Sequence, residues 1–300
     1  MPNVKANGIL IEYDTIGKPG FPPLLLIMGL GGQLIHWDER FCRQLADRGH
    51  FVIRFDNRDT GLSTRFEAVG LPAMSDLLDA RLRGQSIQAP YTLNDMADDA
   101  AELLAGLDIE KAHICGSSMG GMIAQTLAIR HPQHVLSLIS IYSTTGNPDL
   151  PQPQPGAMEA LLTPQPVERQ AYIDFNVVTM QTFAGSGFPF DEQFIRSIST
   201  RAYDRAFYPP GVGRQMMAVM TQENRTSTLG SVTVPALVIH GTADPLVPAE
   251  HGQATADAIP GAQLLLVEGM GHDLPHTKGP WPQVIDAIAA HIKKIEADAA

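Results

Sequence analysis

A rhythm of short, apolar-rich runs separated by helix-like stretches constrains this 300-residue chain more than any other feature. The runs are Leu24 to Met28, Phe51 to Phe55, His113 to Cys115, Val135 to Tyr142, Ala236 to His240 and Leu264 to Val267. Each is too short for a buried helix, and runs like Leu24 to Met28 read as strands covered on both faces. Helices are expected at Asp38 to Arg48, from the capping-box pattern Thr92-Leu93-Asn94-Asp95 through Leu104, at Ser118 to Arg130, at Ala249 to Ala258 and from Trp281 to Lys293. His131-Pro132 stops the third of them. At the start, Asn7-Gly8 between Val4 to Ala6 and Ile9 to Tyr13 signals a hairpin. Strands alternating with helices imply a mostly parallel sheet flanked by helices.

The rhythm stops between Gly146 and Thr233. Pro148, Pro151, Pro153 and Pro155 open this interval, and helix-like stretches rich in Met and Phe follow. Ordinary connections run to about 4–6 residues, so an interval this long reads as a subdomain. The chain therefore divides into a core of residues 1–145 and 234–300 and a helical cap of 146–233. A smaller insertion runs from Thr64 to Pro90, with charges expected to face solvent.

Composition sets outer bounds. A net charge of -11 argues against a nucleic-acid partner, whose phosphates need basic stripes. No Lys/Arg cluster suggests an anionic membrane, and no stretch approaches the roughly 18 apolar residues of a membrane span. Residues Met1 to Glu12 do not read as a secretory signal, and the two cysteines, Cys42 and Cys115, form no disulfide framework. A cytoplasmic location is the expectation. Oligomeric state is not legible.

Chemistry enters at Gly116-Ser117-Ser118-Met119-Gly120, a G-x-S-x-G pattern between a strand and a helix. A serine on so sharp a turn is held in a strained backbone, and its neighbours two positions away must be small because strand and helix approach closely. Ser118 then projects from the carboxyl end of the sheet, where open α/β folds bind ligands. A serine hydroxyl needs a base, and the base needs a partner that fixes its tautomer. Asp244 follows the strand Ala236 to His240, and His272 follows Leu264 to Val267. The order Ser118, Asp244, His272, each at a carboxyl strand end, is that of a nucleophile, an orienting acid and a base. The two N–H groups of an oxyanion hole would come from Met119 and from Leu30 in Met28-Gly29-Leu30-Gly31-Gly32. That loop lacks the glycine spacing of a phosphate cradle.

Together, these residues resemble the α/β-hydrolase fold, from about Gly8 to Ile292. Arg54-Phe55-Asp56-Asn57-Arg58-Asp59-Thr60-Gly61-Leu62-Ser63, with Met28-Gly29 and Gly271-His272, is similar to the aclacinomycin methylesterase-like branch and related carboxylesterases. The resemblance implies a mostly parallel central sheet flanked by helices, with a helical cap inserted after the sixth strand and covering the site. Many members carry His-Gly where this chain has Met28-Gly29, a difference the methylesterase branch tolerates.

Substrate-binding candidates are Trp37, Met216, Met220 and Phe183, with Met217, Phe175 and Phe207 nearby in the cap sequence. Two simpler readings compete: Trp37 packing under the next helix, and the cap residues forming the cap's own core. His36, His240 and His276 lie near the site, but their spacing is not that of metal ligands, so no metal and no cofactor are expected. The expected activity is hydrolysis of a small-molecule carboxylic ester, short-chain or methyl, through an acyl-enzyme. The same residues could serve lactone, C–C or amide hydrolysis or perhydrolysis, or a receptor pocket with vestigial activity. Dehalogenase and epoxide-hydrolase chemistry would need a carboxylate at position 118.

Overall fold

The computed structural model describes residues 2–70, 83, 88–276 and 279–299. The described residues form an eight-stranded sheet: β1 (Asn3–Ala6), β2 (Ile9–Ile16), β3 (Pro23–Ile27), β4 (Phe51–Phe55), β5 (Ala112–Ser117), β6 (Val135–Ile141), β7 (Ala236–Gly241) and β8 (Gln263–Val267). Their spatial order is β1-β2-β4-β3-β5-β6-β7-β8. The β1–β2 hairpin turns at Asn7-Gly8, and β2 joins β4 antiparallel. All other pairings are parallel.

Burial on both faces explains the apolar runs. In β3, Leu24 and Leu26 enter a cluster with Phe41 and Leu45 of α1 (Glu39–Asp47) and Ile285 and Ile288 of α10 (Trp281–Ala299). Leu25 and Ile27 point the other way, toward Met96 of α2 (Leu93–Gly106) and Ile123 of α3 (Met119–Arg130). Only a side-chain period of two, on a strand with helices on both sides, places alternate leucines in two separate cores. α2 starts where its capping box says it should. Thr92 Oγ1 accepts from the Asp95 N–H, and Asp95 Oδ2 accepts from the Thr92 N–H at 2.7 Å.

Between β6 and β7 the chain forms α4 (Pro155–Leu162), α5 (Arg169–Phe183), α6 (Glu192–Ala206), α7 (Pro209–Met220) and α8 (Thr226–Leu229). α7 is keyed tightly into the rest. Arg214 Nε and Nη2 hold Asp59 at 2.7 and 2.9 Å, and both side chains are buried. A Cβ at Gly211 would collide with the Asp59 carbonyl, so only glycine allows this approach. α9 (Ala249–Ala258) returns the chain to the sheet before β8. Of the expected insertion from Thr64 to Pro90, residues 71–82 and 84–87 lie outside the described residues, while Arg65 and Glu67 are exposed.

Candidate active site

Ser118 stands on the turn between β5 and α3 with φ 54° and ψ -121°, a conformation that L-residues rarely adopt. Close packing imposes it. A Cβ on Gly116 would strike the Gly120 carbonyl, and a Cβ on Gly120 would strike the Ile27 carbonyl. The strained residue is held by its own peptide groups. Its N–H donates to the Ile141 carbonyl at 2.9 Å, and its carbonyl accepts from Ser143 Oγ at 2.8 Å.

The three side chains expected to act together meet at the carboxyl edge of the sheet. His272 Nε2 lies 2.9 Å from Ser118 Oγ, and His272 Nδ1 lies 2.8 Å from Asp244 Oδ2. Asp244 Oδ1 accepts the N–H groups of Leu246 and Val247 at 2.9 and 2.8 Å, which fixes the carboxylate plane. With Asp244 accepting from Nδ1–H, Nε2 is left as the acceptor for the serine proton. The imidazole packs against the Tyr142 ring at 4.8 Å and the Phe183 ring at 6.1 Å between centroids.

The Gly29–Gly32 loop is a turn closed by Gly32 N–H donating to the Gly29 carbonyl at 3.2 Å, with Gly31 at φ +67°. Positive φ at the third position is the signature of a type II turn. Gly29 lies over the serine: a Cβ there would sit 3.2 Å from Ser118 Cβ. Because the Gly29 carbonyl is turned into the loop, the planar trans peptide aims the Leu30 N–H the opposite way. Among the described residues, no protein group accepts a hydrogen bond from Leu30 N–H or Met119 N–H. The Arg54–Ser63 segment braces this loop. Asn57 Nδ2 donates to the Met28 carbonyl at 2.9 Å, and Asp56 Oδ1 accepts from Leu34 N–H at 2.7 Å.

The model of the alpha/beta hydrolase fold family matches residues 22–278. The chain belongs to the α/β-hydrolase family. This hydrolase is 31% identical to rhodomycin D methylesterase DauP of Streptomyces sp. (strain C5), covering 91% of the chain and 92% of that protein. It is also 31% identical to rhodomycin D methylesterase DnrP of Streptomyces peucetius, over 89% of the chain and 90% of the relative. Among solved structures, the enol-lactonase from Burkholderia xenovorans LB400 superposes with a TM-score of 0.70 at 20% identity, covering 99% of the chain and all (100%) of the lactonase. That likeness concerns the fold.

The hydrolase has a cavity of about 300 Å³ in front of Ser118 and His272. Trp37 and Phe183, two of the substrate-binding candidates, line it, and so do Tyr142, Tyr172, Phe194 and Trp281. The Trp37 ring also packs on Phe41, 5.7 Å between centroids. Met216 and Met220 are not among the lining residues, which corrects that expectation. Their helix, α7, packs on the loop around Asp59 and places Met216 in buried packing away from the cavity. Phe175 does not line the cavity either, and Phe207 lines a separate small polar pocket beside Thr60 and Tyr208. Instead α5 and α6 supply this wall, through Tyr172, Asn176, Met180 and Ile198.

The three nearby histidines separate. His36 and His276 line the cavity, whereas His240 is buried beneath Asp244 with Nε2 2.8 Å from the Val247 carbonyl. Among the described residues, no group of three His, Cys, Asp or Glu could hold a metal ion. Two further lining residues stand at positions that the local sequence marks. Tyr142 directly follows β6 at the same sheet edge as the other site residues, and Asp273 adjoins His272. Burial pushes the Asp273 carboxyl up to about 6, despite the backbone N–H groups and the His272 imidazole that favour its charged form. Among the described residues, no helix is long and apolar enough to cross a membrane.

Proposed function

We propose that this chain is a carboxylic ester hydrolase, acting on a short-chain or methyl ester through an acyl-enzyme on Ser118. The observation that carries the proposal is the continuous line from Asp244 Oδ2 through the His272 ring to Ser118 Oγ, with links of 2.8 and 2.9 Å. The methylesterase relatives, matched over nine-tenths of their length, support an ester as the substrate.

In this reading, His272 Nε2 takes the Ser118 proton as Oγ attacks the ester carbonyl carbon. The carbonyl π electrons move to oxygen, and the N–H groups of Leu30 and Met119 receive the oxyanion. Each such donor stabilises the transition state by roughly 3 kcal/mol. Collapse of the tetrahedral intermediate breaks the C–O bond, and the imidazolium protonates the departing alkoxide. A water then repeats the sequence on the acyl-serine, with His272 again taking and returning one proton. Asp244 keeps Nδ1 protonated and stabilises the imidazolium at each stage. Residues 146–233 serve as the cap over residues 1–145 and 234–300, with Trp37 and Phe183 contacting substrate.

The direct test is Ser118→Ala assayed on a short-chain nitrophenyl ester, together with fluorophosphonate labelling and peptide mapping of the wild-type chain. Loss of nearly all turnover in a folded variant, with the label on Ser118, is the expected result. Wild-type-like turnover in Ser118→Ala would refute the proposal.

A further inference from the structure

Beyond the three central side chains, a glutamine in the inserted helices touches the turn beside Ser118. Gln215, in the middle of α7, is fully buried, and both the oxygen and the nitrogen of its amide are hydrogen-bonded. Oε1 accepts from the Gly31 N–H at 2.8 Å. Nε2 donates to the Arg58 carbonyl at 2.8 Å and to Thr60 Oγ1 at 2.7 Å. The partners leave one orientation for the amide. Flipped, it would set a donor against the Gly31 N–H and an acceptor against the Arg58 carbonyl.

The bond to Gly31 falls on the one peptide that defines the turn beside Ser118. In a four-residue turn, types I and II differ by a swing of the central peptide, here the one joining Leu30 to Gly31. Gly31 at φ +67° records the type II state, and its N–H is the group that Gln215 grips. The swing would pull that N–H off Oε1 and leave a buried carbonyl oxygen unsatisfied, a loss that disfavours it. The first peptide of the same turn carries the Leu30 N–H. Gripping the central peptide therefore restrains Leu30 on its carboxyl side, while Asn57 restrains Met28 on the other.

We infer that Gln215 is a positioning residue: from the inserted helices it locks the Gly29–Gly32 turn in the form that presents the Leu30 N–H to the oxyanion. This rests on the esterase reading above, because the oxyanion exists only if Ser118 attacks a carbonyl. α7 is rigidly seated for the role by the neighbouring Arg214–Asp59 ion pair and by Val212, whose Cγ2 would lie 3.0 Å from a Cβ on Gly31.

The test uses Gln215→Met, which keeps length and volume but has no amide, and Gln215→Glu, which keeps an acceptor for Gly31 but loses the two donations. Three quantities are read on each: kcat and KM for a nitrophenyl ester, the inhibition constant of a trifluoromethyl ketone whose serine adduct carries an oxyanion, and the melting temperature. For Gln215→Met, kcat should fall roughly tenfold or more at nearly constant KM, and the ketone should weaken by a similar factor. Gln215→Glu should fall less in both and supplies the reading if the Met variant does not fold. A folded variant with kcat and ketone affinity within twofold of wild type overturns the inference. So does a loss of activity with ketone affinity unchanged. Ser118→Ala in the same assays keeps the two failures apart, since turnover surviving there sinks the esterase reading itself.

Discussion

The backbone N–H of His272 donates to the carbonyl of Phe183 at 2.8 Å. The candidate base is thus tied to the last residue of α5, in the inserted helices, as well as to the sheet edge that precedes it. Around that tie, the two chain segments approach with no room for side chains. A Cβ on Gly271 would collide with Gly185 N and the Phe183 carbonyl.

Gly271→Ala should therefore push the His272 loop away from α5 and open the 2.9 Å contact with Ser118. A displacement of about 1 Å at a reacting group lowers rate by around 100-fold, so kcat should drop on that scale. Steady-state kinetics with a parallel thermal melt checks this. Turnover close to wild type would mean that the loop accommodates the methyl without moving the imidazole.

Asp244→Asn should keep the Leu246 and Val247 N–H bonds through its carbonyl oxygen and turn an NH₂ toward His272 Nδ1. That selects the tautomer with hydrogen on Nε2, which cannot accept the serine proton. A loss of about 10⁴ in kcat is expected for such a change, with the fold intact by circular dichroism.

Asp59 accepts from Arg214, from the Tyr91 hydroxyl at 2.8 Å and from the Phe66 N–H at 2.8 Å. Asp59→Asn would leave the Arg214 guanidinium buried without its counter-charge. Breaking a buried pair in this way destabilises by about 3–5 kcal/mol. Urea denaturation should show it as a lowered midpoint. A shift under 1 kcal/mol would show that α7 is held by its other contacts.

His50 and His291 lie at the opposite edge of the sheet from the site, and burial, with the neighbouring His113 also opposing a second positive charge, pushes both down to about 4. Glu296 partly offsets this at His50 and Arg48 adds to it, while Lys294 adds to it at His291. Unfolded, each would titrate near 6.5. Between those values the unfolded chain binds more protons than the folded one, so this contribution is complete above pH 6.5 and is lost as pH falls toward 4. Melting temperature should therefore fall over that window, and His50→Phe should flatten the fall. An unchanged slope in His50→Phe would remove His50 from the account.

The sheet and the three converging side chains were legible because each rests on a local pattern. β4 and α9 fall on their expected bounds, and Ser118, Asp244 and His272 each follow a strand whose apolar run marks where the sheet ends. The cavity wall was not legible. Met216 and Met220 looked suited to a flexible pocket, but which face of α7 meets the core is set by Arg214 reaching Asp59 and Gln215 reaching Arg58, residues about 155 positions away in the chain. No periodicity within a twelve-residue helix encodes so distant a partner. Gln215 itself reads in sequence as an ordinary polar helix residue.

The left-handed backbone at Ser118 also bears on the stability of the molecule. A non-glycine residue in such a conformation carries a standing strain of about 1–3 kcal/mol. Glycine at position 118 would relieve it, and in the esterase reading above would exchange turnover for heat resistance. Under that reading, function holds a serine where the backbone alone favours glycine.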